Sequence, residues 1–204
     1  CKNTTGASNV AVGYSALCTN TTGANNIAVG AFSLDNNTTG EGNVAIGLSS
    51  LDANVSGYGN TAIGKQSLCK NTANDNTAVG GGALCLNTSG ANNTAVGKTA
   101  LNANTTASNN TAVGCGALLA NTTGSENTAV GGNSLQANTT GTTNTATGRQ
   151  ALLTNSTGTC NAAFGAFSLL RTTTGAKNTA IGPSDTMKEN TTGSNNTALG
   201  FQAL

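Results

Sequence analysis

One pattern, Asn-x-Ala-x-Gly, occurs twelve times along the 204-residue chain, most often as Asn93-Thr94-Ala95-Val96-Gly97. Its glycines stand at Gly13, Gly30, Gly47, Gly64, Gly80, Gly97, Gly114, Gly131, Gly148, Gly165, Gly182 and Gly200. The steps are 17 residues, except for 16 before Gly80 and 18 before Gly200. A leucine follows four residues after each glycine, except that Met187 comes one place late. The remainder of each unit is turn-like, usually Asn-Thr-Thr-Gly, as in Asn121 to Gly124. Self-similarity at a short fixed period is the signature of an array in which each unit stacks on its neighbours.

Within one unit, Thr94, Ala95 and Val96 alternate as a short strand does, with Thr94 and Val96 on one face and Ala95 on the other. Val10, Ile27 and Val44 replace the threonine in the first three units, which reads as an inward face. Gly97 permits a bend, Ala100-Leu101 reads as a second short strand returning leucine to the interior, and Asn87 to Gly90 closes the coil with turn residues. The invariant alanine has two readings, a coil too flat for anything larger or close packing against another chain. Together these units imply an all-β chain: a parallel β-solenoid, or β-roll, of about twelve 17-residue coils. Residues 1–204 form a single array with no separate domain. At the usual interstrand spacing of about 4.8 Å, such a rod is on the order of 60 Å long.

Stacking places like residues above one another. The column Asn9, Asn26, Asn43, Asn60, Asn76, Asn93, Asn110, Asn127, Asn144, Asn161, Asn178 and Asn196 is therefore expected to form an asparagine ladder. Each amide can donate and accept along it, satisfying polar groups that a bend leaves unpaired. Cys1 and Cys18 share a column in adjacent units, as do Cys69 and Cys85. Stacked neighbours fall within the Cα separation that a disulfide accepts, so bridges Cys1–Cys18 and Cys69–Cys85 are expected, implying an oxidising setting. Cys115 and Cys160 are three units apart and in different columns, so each is a free thiol or bonds another chain. A bulged loop is expected around residues 183–187, where the extra residue is inserted.

Composition narrows the function. There is no His, and the seven acids and eight bases are scattered, so no catalytic, metal or cofactor site is expected and the chain reads as not an enzyme. A net charge of +1 gives no footprint for nucleic acid, and no apolar run is long enough for membrane insertion. The chain opens in mid-unit and lacks an atypical end unit, which reads as a segment of something longer or a subunit that polymerises end to end.

The core Asn43-Val44-Ala45-Ile46-Gly47 and its Asn-Thr-Ala-Val-Gly relatives resemble head repeats of trimeric autotransporter adhesins. The longer unit, through Ala-Leu to Asn-Thr-Thr-Gly, resembles repeats of bacterial and phage tail-fibre-like proteins. The resemblance implies a left-handed roll assembled as a lateral trimer at a cell or virion surface. The expected function is thus a structural repeat forming a stiff extracellular rod, fibre or filament, with copies of itself as partner. A host surface or glycan could engage its side through Tyr14, Phe32, Tyr58, Phe167 or Phe201. The alternative is an ice-binding solenoid, from the column Thr61, Thr77, Thr94, Thr111 and Thr128, against which the inward reading of that column weighs.

Overall fold

A computed structural model describes residues 2–204. Twelve three-residue strands, β1 (Val10–Val12) to β12 (Thr197–Leu199), form one parallel sheet in strict sequence order. Every pairing is in register, alanine against alanine, as in Thr94↔Thr111, Ala95↔Ala112 and Val96↔Val113 between β6 (Thr94–Val96) and β7 (Thr111–Val113). The 16- and 18-residue steps preserve it, pairing Ala62 with Ala78 and Ala180 with Ala198. The chain is a β-solenoid with one strand per coil.

Two expectations are corrected. Ala100-Leu101 is not a second strand: from Gly97 to Leu101 the backbone alternates hands, with φ of +137°, +54° and +52° at Gly97, Thr99 and Leu101 and no positive φ at the residues between. This alternation turns successive peptide groups in opposite directions along the rod. The Thr99 amide donates back to the Gly81 carbonyl (3.0 Å), and the Leu101 amide donates forward to Ala117 (2.9 Å). A leucine in the left-handed region is strained by roughly 1–2 kcal/mol, yet the interior leucines from Leu17 to Leu169, and Met187 in their place, all adopt it. Such strain persists only where surrounding bonds over-determine the conformation.

The second correction concerns which face of the strand is inside. The alanines from Ala28 to Ala180 are wholly buried, while Val96 and its equivalents point outward. A single coil has room for two small residues and one large one, here Ala95, Ala100 and Leu101, all fully buried. The alanine is small because the coil is narrow, and packing against another chain is not required to explain it. Gly97 is confined in the same way: a Cβ there would come within 2.5 Å of the Gly114 carbonyl oxygen in the next coil.

The rest of the interior is polar. The Asn110 backbone amide and its Nδ2 both donate to Asn93 Oδ1, at 3.0 and 3.2 Å. A second ladder, through the first asparagine of each turn, runs beside the first: Asn104 Nδ2 donates to Asn87 Oδ1 (2.7 Å) and Asn121 Nδ2 to Asn104 Oδ1 (3.0 Å). The ladders meet at the turn carbonyls, since Asn93 Nδ2 and Asn104 Nδ2 both donate to the Ala107 oxygen at 2.9 Å.

The second ladder is broken where the repeat is irregular. In the shortened coil Asn71 Nδ2 turns to the Ala73 carbonyl, leaving Asn54 Oδ1 buried without a partner. Thr172 replaces asparagine in another coil and donates its hydroxyl to the Asn190 carbonyl, leaving Asn155 Oδ1 in the same state. The inserted residue near 183–187 is absorbed as a bulge. Thr186 is fully buried and bonded to the Gly200 carbonyl at 2.7 Å, and Met187 is 2% exposed in the leucine position.

Thr172→Asn should complete the broken rung and stabilise the protein by about 1 kcal/mol, read as a higher denaturation midpoint. Ala112→Val, adding volume inside the coil, should destabilise by about 1–3 kcal/mol. Val113→Ala next to it should change stability by no more than about 0.5 kcal/mol; equal losses in the two variants would contradict the assignment of faces.

Candidate functional site

With alanine inside, each strand turns its first and third side chains outward. The third-position column is aliphatic except at Thr147 and Phe164, and in the middle of the array Ile46, Ile63, Val96, Val113 and Val130 are each 36–38% exposed. The first-position column begins with Val10, Ile27 and Val44 and continues with Thr61, Thr77, Thr94, Thr111, Thr128 and Thr145. Ala162, Thr179 and Thr197 complete it. The inward reading of this column is thereby overturned. Val10 is 47% and Ile27 38% exposed, so the apolar start of the column is on the surface as well.

The threonine columns differ in how their hydroxyls are used. In the turns, Thr88, Thr105, Thr122 and Thr139 each donate to a backbone carbonyl of the next coil at 2.9–3.1 Å. The strand threonines make no side-chain hydrogen bond among the described residues, so their hydroxyls are free for solvent. No acid or base occurs in either outward column, which leaves the face a sheet of methyl and hydroxyl groups.

The other residues singled out from the sequence fall on different parts of the rod. The asparagine ladder is interior, with Asn9 and Asn196 half-buried in the outermost coils, so it is structural and out of reach of a ligand. Cys69 and Cys85 are bonded, with Cα atoms 4.9 Å apart. The Cys1–Cys18 pairing lies outside the described residues. Cys115 and Cys160 are both exposed free thiols in different coils. Of the aromatics, Tyr14 and Phe32 meet edge to face at 5.3 Å, and Arg149 lies 5.3 Å over the Phe167 ring. Tyr58 and Phe201 are exposed elsewhere and join neither pair. These residues give no single concave site. Among the described residues, no three His, Cys, Asp or Glu side chains form a metal-ligand group, and no helix is long and apolar enough to cross a membrane.

Stacking also brings together two acids that look scattered along the chain. Asp35 and Asp52 occupy the same column in adjacent coils. Partial burial, then the Asp35 charge, push the Asp52 carboxyl above its ordinary range, while a hydrogen bond from Asn36 partly offsets this. A raised carboxyl pKa favours the folded state while the group is protonated and penalises it once ionised. Asp52→Asn should therefore raise the thermal midpoint at neutral pH. The advantage should vanish below the usual carboxylate range; a gain that is the same at acid pH would rule out this electrostatic origin.

Comparison with protein-family models, curated proteins and solved structures finds no match to this chain. The fold itself defines the class: a β-solenoid repeat protein.

Proposed function

We propose that the chain is a stiff structural rod, serving as the shaft or head of an extracellular fibre or adhesin. The observation that carries this reading is the in-register stacking of all twelve strands beside the strand-entry asparagine ladder, both of which continue through the 16- and 18-residue steps. Each coil bonds only to its neighbours, and in such an array stability is the sum of the coils' own terms and their nearest-neighbour interfaces. Polar pairing within a column resists sliding of one coil on another, because a slip would strand buried amide groups. The Cys69–Cys85 staple adds a covalent tie between successive coils and supports an oxidising, extracellular setting.

Small-angle scattering of the purified chain tests the rod directly. Eleven strand-to-strand steps at about 4.8 Å give a particle on the order of 50 Å long with a narrow, uniform cross-section. A near-spherical scattering profile would sink the proposal. Surface labelling of intact source cells with a membrane-impermeant reagent tests the location: a rod recovered only unlabelled, with Cys69 and Cys85 reduced, argues against the extracellular part alone.

A further inference from the structure

We propose that the outer face of the sheet binds ice. Three independent observations converge on this ligand. First, the face is a two-dimensional array. Threonines Thr61, Thr77, Thr94, Thr111, Thr128 and Thr145 repeat at every coil, and each is followed two residues later by an outward side chain, aliphatic except at Thr147. The backbone sets both intervals, about 4.8 Å between coils and about 6.6 Å along each strand. Such few-ångström intervals are the scale on which oxygen atoms repeat at the surface of ice.

Second, the hydroxyls of this column are unengaged by the protein, whereas those of Thr105, Thr122 and Thr139 in the turns donate to the next coil. A free hydroxyl beside a methyl group can hold one water while the methyl surface beside it orders others. Third, no charge interrupts the face, so no side chain there imposes a strong hydration shell of its own. Rigidity then matters as much as chemistry. In-register pairing and buried alanines fix the spacing, so an ordered water layer finds its positions already set.

A second hydroxyl column supplies an internal control. Thr106, Thr123, Thr140 and Thr157 are also exposed, but they sit at a turn. Their flanking column is irregular and includes Glu41 and Tyr58 in other coils, so that side offers no comparable two-dimensional array.

The test uses the intact, non-reduced chain in an ice-partitioning assay, in which ice grows slowly through a dilute solution and protein is measured in both phases. The wild type should enrich in ice and shape growing crystals. The double variant Thr94→Tyr with Thr111→Tyr, whose rings would stand off the middle of the face, should lower enrichment at least tenfold. Thr106→Tyr with Thr123→Tyr on the turn should leave it within twofold of wild type. Circular dichroism establishes that each variant is folded; should the tyrosine pair not fold, Thr94→Lys with Thr111→Lys replaces it and should show the same loss. Exclusion of the wild type from ice would overturn the proposal, as would equal enrichment of face and turn variants. Sedimentation supplies another overturning result: a stable oligomer dissociated by the face variants would show that copies of the chain cover this surface. Neither result bears on whether the particle is a rod, which scattering decides separately.

Discussion

The bond between one asparagine side chain and the backbone of the next coil is the interaction on which the rest of this structure depends. Asn76 Oδ1 accepts the Asn93 amide, and Asn93 Oδ1 accepts that of Asn110, each at 3.0 Å. This bond joins the residue entering one strand to the residue entering the next, so strand register is fixed before the strand begins. A three-residue strand contributes too few ladder bonds to set its own register. The asparagine supplies the missing constraint, and its Nδ2 ties strand entry to the turn carbonyls, as from Asn127 to Gly141 at 2.8 Å.

The narrow interior follows from the same bonding. Two asparagines per regular coil occupy much of the cross-section, leaving space for one leucine and two small residues. Burying one leucine contributes on the order of 1.5–3 kcal/mol, against a backbone with several positive-φ residues in each coil. A coil of this kind has little to hold it in isolation. Stacked, its amides gain partners on both sides, and the same left-handed φ values that strain Thr99 and Leu101 direct their N–H groups to opposite neighbours. Local conformation and long-range stacking are therefore one requirement, which accounts for the recurrence of the same residue types at the same places.

Much of this was legible in the sequence, because a period of 17 residues transmits every side chain to a column. The array, the parallel stacking and the interior leucine all come from that period and from alternation within the strand. The sense of the strand does not. Alternation places Thr94 and Val96 together, but hydrophobicity then points the wrong way, since the aliphatic valine is outside and the small alanine inside. What decides is volume: a coil closed by Gly97 and filled by Leu101 has no room for a second branched side chain. The second ladder was also hidden, because Asn-Thr-Thr-Gly already has an explanation as turn chemistry. Its signal was nonetheless present, since the first asparagine of that turn recurs in almost every coil while the residues after it vary.

Assigning alanine to the interior changes what the variable positions mean. The inner columns change little, because a larger side chain there meets the next coil. The outer columns carry no such restraint, since Phe164, Thr147 and Ile181 all occupy the third strand position without altering the pairing. Uniformity on an outer column therefore has a different standing from uniformity inside. Packing accounts for every buried alanine, but it does not account for a surface column that keeps threonine through coil after coil while the position tolerates Val10, Ile27 and Ala162. Strand propensity favours threonine and valine alike, so it explains a β-branched residue without selecting the hydroxyl. The hydroxyl forms no bond within the described chain, so the column presents its polar groups to the solvent side of the sheet and contributes nothing to the interior.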